Sequence, residues 1–189
     1  MLNNIRKKVE PAIRKIGLVA TKIGISPTGW TIISLVVAII SGYFYSQGGW
    51  KNGAIAGILL LISGFIDIID GAVARVSKRI TSKGAFLDST IDRLSEIAVY
   101  SGIVLSGTVP YIYVFFAIIF SIMVSYIRAK GESLGVKTFG VGIGERAERL
   151  IVLAVFSIIG EVTIGVIAVF ILALITFIHR FAHIVNYLE

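Results

Sequence analysis

The chain has 189 residues, of which 56% are hydrophobic and only 15% are charged, and its formal net charge is +7. This balance excludes an ordinary soluble domain, because apolar runs of membrane-spanning length recur along the chain. The absence of cysteine excludes disulfides and thiolate metal sites. No nucleic-acid partner is expected, since the basic residues border the apolar segments.

The N-terminal segment, residues 2–22, has the pattern of an amphipathic helix. Its apolar residues fall near one helical face, and its Lys and Arg residues fall on the other. This pattern predicts an interfacial helix that lies on anionic lipid headgroups. A solvated cytoplasmic tail is the alternative interpretation.

Six apolar segments follow the amphipathic helix and predict membrane crossings. They cover approximately 28–47, 52–77, 84–106, 109–130, 144–160 and 162–187. The fold class is therefore predicted to be an all-α integral membrane protein with six transmembrane helices after the interfacial helix. We expect one domain over residues 1–189, with the six-helix bundle in 28–187.

The basic residues are distributed unevenly over the two ends of these segments. Of the 18 Lys and Arg residues, only Lys51 lies on one side, and the others lie on the opposite side. Lys and Arg favour cytoplasmic connections. This asymmetry predicts that both termini are cytoplasmic.

Four aspartates lie in the second and third segments, where a membrane helix is expected to have none. An ionised Asp at the bilayer centre costs about 2.5–3.5 kcal/mol on insertion scales, so these side chains should face one another or water. Asp67 and Asp70 (i, i+3) share one helical face, as do Asp88 and Asp92 (i, i+4). The connection 78–83 should bring the two pairs together near the cytoplasmic side.

A set of four carboxylates suits a pair of divalent cations, because Mg²⁺, Mn²⁺ and Ca²⁺ prefer oxygen ligands. The alternative is that some of the acids form structural salt bridges with Arg75, Arg79 or Arg93. Glu96 continues the Asp88–Asp92 stripe, and it either supports the ligands or pairs with a base.

Small residues and an arginine follow the first pair of acids. Gly71 and Ala74 leave the backbone open to a bulky ligand, although small residues also permit close helix packing. Arg75 has the planar fork that suits a phosphate. Together with the acids, these residues suggest a diphosphate substrate.

The spacing of these residues resembles the motif of a known enzyme family. The pattern reads Asp67-x2-Asp70-Gly71-x2-Ala74-Arg75-x8-Gly84-x3-Asp88-x3-Asp92. It is similar to the full motif of the CDP-alcohol phosphotransferases, membrane enzymes that displace CMP from a CDP-linked lipid or alcohol. Many members begin the first crossing with Pro-Asn-x-x-Thr. Here Pro27 and Thr31 match, whereas Thr28 replaces the Asn.

This resemblance implies roles for individual residues. The metal ligands would be Asp67, Asp70, Asp88 and Asp92, which would hold two divalent cations, Mg²⁺ or Mn²⁺. Asp92 would also act as the general base on the acceptor hydroxyl. The CDP-lipid site would comprise Thr31, Gly71, Ala74, Arg75, Thr81 and Gly84. Family members are generally homodimers, so the resemblance implies a homodimer.

A second basic cluster predicts a pocket for a phosphate carried by the acceptor. Arg146 and Arg149 (i, i+3) share a face at the start of the fifth segment, where a helix N-terminus also favours an anion. With Arg128 and Lys137 they would form the acceptor-phosphate site. The alternative is positive-inside anchoring, with a Glu145–Arg149 helix pair.

The stretch GERAERL is similar to the inositol-phosphate branch of the family. This similarity implies transfer from CDP-archaeol or CDP-diacylglycerol to myo-inositol 1-phosphate. Glycerol 3-phosphate is the nearest alternative acceptor, and it would need the same basic cluster.

A metal-ion transporter is the alternative from a different functional class. Its site would lie near the membrane midplane with access from both faces. The acids here lie near the basic edge instead, with Arg75 beside them. The sequence therefore favours a cell-membrane enzyme with its active site near the cytoplasmic face.

Overall fold

The protein is helical throughout the residues that its computed structural model describes, which are 2–138 and 140–188. These ranges contain seven helices and no strand: α1 (Leu2–Lys22), α2 (Pro27–Ser46), α3 (Trp50–Val76), α4 (Ser82–Ser106), α5 (Tyr111–Ser133), α6 (Arg146–Ile158) and α7 (Val162–Leu188). Four of them, α2, α3, α5 and α7, are long and apolar enough to cross a membrane. The predicted all-α class is confirmed.

The other two predicted crossings correspond to α4 and α6. Helix α4 has 25 residues but carries charged side chains in its first half. Helix α6 has 13 residues, which at 1.5 Å per residue is about 20 Å long. A hydrocarbon core is about 30 Å thick. Length and composition therefore do not identify these two helices as crossings, and six crossings remain a prediction.

Helix α1 covers the predicted N-terminal segment and packs against α3. Ala20 is buried with Ile69 and Val73 in a small apolar cluster. The helices approach closely where a Cβ added to Gly17 would lie 2.9 Å from the carbonyl oxygen of Ala72. Helix α1 thus contacts the part of α3 that carries Asp70. Its place at the membrane surface stays a prediction.

Small side chains fill the interior of the bundle, while large apolar side chains point outward. Five alanines are fully buried: Ala38, Ala56, Ala117, Ala154 and Ala173. Many Ile, Val, Leu and Phe side chains are exposed on the outer faces. This arrangement is typical of helices in lipid, where small interior residues let the backbones pack closely.

Helix α2 supports both helices that carry the acids. Helices α3 and α4 each pack closely along α2, and not closely along each other. The contact between α2 and α4 is closest at two glycines, since a Cβ added to Gly102 would lie 2.8 Å from Gly42 Cα and 2.6 Å from its carbonyl carbon. The backbones therefore touch at this point.

We expect Gly102→Ala to lower the free energy of unfolding by about 1–3 kcal/mol, the usual cost of overpacking. The added methyl group would collide with backbone atoms that cannot rotate away. Unfolding temperature in detergent would measure the effect. Leu105→Ala is the control, because Leu105 lies on the same helix and is 76% exposed. Equal unfolding temperatures for the two variants would contradict the prediction.

The segment between α5 and α6 is fixed by a buried arginine of α7. Arg180 Nε donates to the Val141 carbonyl at 2.8 Å, and its Nη1 donates to the Val124 carbonyl at 3.2 Å. Its third nitrogen pairs with Glu145, the residue before α6. Arg180 thus joins α5, α7 and the start of α6.

Candidate active site

Three carboxylates from two helices meet at one end of the bundle. Asp67 and Asp70 lie on α3 and Asp88 lies on α4, and each offers one oxygen within 4.8 Å of the others. Asp70 is only 6% exposed, and the other two are half-buried. The turn after α3 reverses the chain, so Asp88 reaches the pair on α3. The structure therefore brings together three of the four predicted acids.

Asp92 adjoins these carboxylates through Arg146, the first residue of α6. Arg146 Nη1 donates a hydrogen bond to Asp67 Oδ2 at 2.8 Å. The same nitrogen lies 2.9 Å from Asp92 Oδ1. Arg93 lies 3.4 Å from the other oxygen of Asp92. Helix α6 thus provides a guanidinium group between the carboxylates of α3 and α4.

Thr31 on α2 orients Asp70. Its hydroxyl donates to Asp70 Oδ2 at 2.7 Å, and both side chains are buried. Ser26 caps the start of α2 by accepting from the Gly29 amide at 3.1 Å, so Thr31 lies near the helix N-terminus. The residue predicted to bind CDP-lipid is therefore a direct neighbour of a carboxylate.

The carboxylate cluster fits a divalent cation of the Mg²⁺ or Mn²⁺ type. Its donors are all carboxylate oxygens, which such hard ions prefer. Asp67 Oδ1 is buried and has no hydrogen-bond partner among the described residues. A buried oxygen of this kind needs a partner, and a bound cation would supply one. The acids of both helices are therefore suited to share metal ions.

Two of the predicted CDP-lipid residues on α3 lie against each other. Arg75 is exposed, and its Nη1 would be 3.3 Å from a Cβ added to Gly71. The arginine therefore folds back over the glycine on the turn that follows Asp70. Ala74 is half-buried beside it.

The other two predicted CDP-lipid residues form the start of α4. Thr81 Oγ1 accepts from the Gly84 amide at 3.0 Å and caps the helix. A Cβ added to Gly84 would lie 3.1 Å from that same oxygen. Thr81 and Gly84 thus begin the helix one turn before Asp88, so they fix where this acid projects.

The four basic residues predicted for the acceptor phosphate have different surroundings. Arg146 lies at the carboxylates, as described above. Arg149 is buried, whereas Lys137 is exposed on the segment between α5 and α6. Arg128 pairs with Glu132 at 3.0 Å and with Glu145 at 3.4 Å. Of these four basic residues, only Arg146 contacts the predicted metal ligands directly.

Two contacts at the site are absent from the sequence predictions. Arg149 Nη2 donates to Glu96 Oε1 at 3.0 Å, and Arg180 pairs with Glu145. The position of Glu96, one turn after Asp92, indicated a supporting role without identifying its partner. No sequence signal identified Arg180 as a buried residue.

Comparisons with a family model and with known proteins point to the same family. The family model described as CDP-alcohol phosphatidyltransferase matches residues 25–186. The archaetidylinositol phosphate synthase of Pyrococcus horikoshii is 42% identical over 181 residues, which cover 95% of this chain and 94% of that protein. The archaetidylinositol phosphate synthase of Methanothermobacter thermautotrophicus is 42% identical over 161 residues, covering 85% and 78%.

A solved structure shares the fold. The Mycobacterium tuberculosis phosphatidylinositol phosphate synthase, crystallised in complex with manganese and citrate, superimposes with a TM-score of 0.79. The match covers 92% of this chain and 89% of that one at 23% identity. At this identity, the similarity supports the arrangement of the helices and not individual residue roles.

Proposed function

Because the chain belongs to the CDP-alcohol phosphatidyltransferase family, we propose that it transfers a lipid phosphoryl group from a CDP-lipid to myo-inositol 1-phosphate and releases CMP. The Pyrococcus relative is an archaetidylinositol phosphate synthase, which supports an archaetidyl donor and an inositol phosphate acceptor. The alternative donor is CDP-diacylglycerol, whose tails are ester-linked. The alternative acceptor is glycerol 3-phosphate.

The observation that carries this proposal is the carboxylate cluster with a guanidinium group beside it. Three acids offer oxygens within 4.8 Å of one another, and Arg146 contacts both Asp67 and Asp92. The acids suit cations that bind a diphosphate, while the arginine suits the phosphate of an acceptor. Both groups lie within the length of one side chain, as a transfer between two phosphorylated substrates requires.

Asp67, Asp70, Asp88 and Asp92 would hold two divalent cations, with Asp92 contributing to the second. When bound, such ions neutralise charge on the diphosphate and stabilise the departing CMP, as in other two-metal phosphoryl-transfer sites. Thr31 keeps Asp70 in one orientation through the 2.7 Å hydrogen bond. The protein thereby holds its donor oxygens ready for the ions.

Asp92 would take the proton from the acceptor hydroxyl, as a general base within hydrogen-bond reach can do. The hydroxyl oxygen then bonds to the β-phosphorus of the CDP-lipid, and the bond from that phosphorus to the CMP oxygen breaks. Gly71 and Ala74 leave room for the nucleotide beside the helix. Arg75 would contact the diphosphate.

The acceptor's phosphate would bind at the basic side of the cluster, where Arg146 projects from the N-terminus of α6. A helix N-terminus favours an anion at this position. Arg149 shares Glu96 with Arg146, while Arg128 at the end of α5 and Lys137 in the α5–α6 segment would add positive charge. The basic residues would thus hold the phosphate of the acceptor while its hydroxyl group faces Asp92.

An acceptor screen tests this function. Purified protein, Mg²⁺ and a CDP-lipid are incubated in separate reactions with inositol 1-phosphate, glycerol 3-phosphate, inositol or serine, and CMP release is measured. We expect release with inositol 1-phosphate. Release only with glycerol 3-phosphate would establish the alternative acceptor. Folded protein that releases no CMP with any alcohol, but carries metal into proteoliposomes, would instead favour a transporter.

Arg146→Ala should raise the KM for the phosphorylated acceptor about 10- to 100-fold, since a hydrogen bond to a charged group contributes about 1.5–3 kcal/mol. The KM for CDP-lipid should change less than about twofold, because the ion pairs of Arg146 are with Asp67, Asp92 and Glu96 and not with the predicted CDP-lipid residues. Steady-state kinetics with each substrate varied in turn measures both constants. Lys130→Ala is the matched control, since Lys130 is exposed and outside the predicted pocket. Unchanged KM values for both substrates would contradict this acceptor site.

We also propose six crossings, with α4 and α6 completing the set and both termini in the cytoplasm. The placement of nearly all Lys and Arg residues on one side supports this topology. It puts the active site near the cytoplasmic face and α1 on the inner membrane surface. Because the chain has no cysteine, single cysteines introduced into the turns can report their side by labelling. Labelling from the outside at residue 78 or 137 would contradict the topology.

Homodimerisation is a further expectation, drawn from the family resemblance. The outer faces of the helices expose many large apolar side chains, which suits contact with lipid or with a second copy. Light scattering in detergent should give twice the chain mass of 20.4 kDa. A monomer mass in several mild detergents would contradict this expectation.

A further inference from the structure

Glu96 is a carboxylate that the transfer chemistry described above does not use. It lies on α4, one turn beyond Asp92 and on the same helical face. Its side chain is only 15% exposed. A buried carboxylate is costly unless an opposite charge and hydrogen bonds compensate for its lost hydration. Its surroundings must therefore offset a substantial cost.

Two arginines of α6 provide this compensation. Arg149 Nη2 donates to Glu96 Oε1 at 3.0 Å, and Arg146 Nε lies 3.8 Å from the same oxygen. Like charges three residues apart on a helix repel each other. A carboxylate close to both guanidinium groups offsets this repulsion. Glu96 is therefore their shared counter-ion.

Arg149 is held from three directions, which makes it a fixed anchor. Its side chain is 3% exposed. Besides Glu96, it donates to the carbonyl of Gly144 at 2.7 Å and to that of Ser121 on α5 at 3.5 Å. Gly144 lies just before α6, so this hydrogen bond ties Arg149 to the segment that leads into the helix. Arg146 is the first residue of that helix, so it lies next to this anchored segment.

A small cavity with a mostly apolar lining lies beside Glu96 and the two arginines. About 30 Å³ is open to the centres of water molecules, enough for about two waters. Its polar lining comes from Ser63, Ser95, Glu96, Tyr100, Arg146 and Arg149. Helices α4 and α6 do not pack closely along each other. Val99 of α4 and Leu153 of α6 belong to one apolar cluster, and the contacts of Glu96 with the two arginines add polar links beside it.

The network around this cavity has capacity for further bonds. Four buried polar atoms that belong to its lining residues have no hydrogen-bond partner among the described residues: Ser95 Oγ, Glu96 Oε2, Arg146 Nε and Arg149 Nε. Buried polar atoms normally have partners, including ordered water. The second oxygen of Glu96 is thus available to bond to water in the cavity, and through water to either arginine.

We infer that Glu96 is a positioning residue that acts through Arg149 and Arg146 to hold the Arg146 guanidinium between Asp67 and Asp92. The inference rests on the proposed function, in which Arg146 binds the phosphate of the acceptor. Glu96 does not touch the reacting atoms. Without the carboxylate oxygen of Glu96, the guanidinium group of Arg146 is no longer held in place. Binding of the phosphorylated acceptor then weakens, while binding of CDP-lipid does not.

The experiment compares Glu96→Ala, Glu96→Gln and wild type in the full-length protein. Glu96→Ala should raise the KM for inositol 1-phosphate about tenfold, with the KM for CDP-lipid and kcat at saturating acceptor each changed less than about threefold. Glu96→Gln keeps an acceptor oxygen in place, so it should restore the acceptor KM to within about threefold of wild type. Glu161→Gln is the control, because Glu161 is an exposed acid at the other end of the bundle.

Two results would overturn the inference. One is an acceptor KM of Glu96→Ala within twofold of wild type, and the other is an equal increase in both KM values. If Glu96→Ala does not stay monodisperse in detergent, Glu96→Met decides, because it fills the space of the side chain without an acceptor oxygen. An acceptor KM of Glu96→Met within twofold of wild type would then overturn the inference.

Equilibrium binding of radiolabelled inositol 1-phosphate separates this inference from the proposed function. We expect wild type to bind and Glu96→Ala to bind about tenfold more weakly. Wild-type protein that neither binds inositol 1-phosphate nor turns it over would refute the proposed function. Equal binding by wild type and Glu96→Ala would refute only the role of Glu96.

Discussion

Asp92→Asn should lower the rate of CMP release by about 10³-fold or more, and Asp88→Asn should do the same. General-base catalysis alone contributes about 10²- to 10⁴-fold, and Asn can neither accept the proton nor supply the charge that a cation needs. Asp92 lies 2.9 Å from Arg146, and Asp88 shares its cluster with Asp67 and Asp70. Single-turnover CMP release under saturating substrates would measure the loss.

The two variants should remain folded, because Asn has the shape of Asp and removes a repulsive charge from a crowded acidic site. Size-exclusion profiles and unfolding temperatures test this requirement. Glu161→Gln controls for the loss of one negative charge elsewhere and should keep the wild-type rate. If folded Asp92→Asn retained more than a tenth of wild-type activity, Asp92 would not be the base.

Removal of divalent cations should stop CMP release, and Mg²⁺ or Mn²⁺ should restore it. We expect EDTA to reduce the rate by at least about 100-fold, because four crowded carboxylates cannot by themselves hold an anionic diphosphate. The same cations should raise the unfolding temperature of the wild type, since a ligand that binds only the folded state stabilises it. This rise should disappear in Asp70→Asn.

The unfolding measurement is independent of turnover. It therefore tests the metal site even if the substrates in the activity assay are not those of the protein. Full activity in EDTA, with elemental analysis giving less than one divalent ion per chain, would refute the two-metal mechanism. An equal rise in unfolding temperature for wild type and Asp70→Asn would show that the cation binds somewhere other than this cluster.

The position of the acids was accessible from the sequence because it depends on local geometry. Spacings of three and four residues place each pair on one face of a helix, and a short turn returns α4 to the end of α3. The predicted fifth crossing, 144–160, exceeds α6 at both ends. Gly144 packs against α7, and Gly160 has a φ of +91°, which ends the helical stretch.

The contacts across the bundle were not accessible from the sequence. Thr31 meets Asp70 across 39 residues and Glu96 meets Arg149 across 53. Such pairs depend on how each helix is rotated about its axis, and one sequence contains no direct measure of that rotation. Arg180 shows the difficulty, because an arginine is usually exposed, whereas here it is buried within α7 and joins α5, α7 and the start of α6.

The hydrogen bond from Thr31 has a consequence for the choice of ion. With Oδ2 engaged at 2.7 Å, Asp70 is best suited to coordinate a metal through one oxygen. Ca²⁺ accepts chelating carboxylates and six to eight ligands, whereas Mg²⁺ requires a near-octahedral shell of single oxygens. Asp70 thus biases the site towards the smaller ion, so Ca²⁺ should raise the unfolding temperature less than Mg²⁺ at equal concentration.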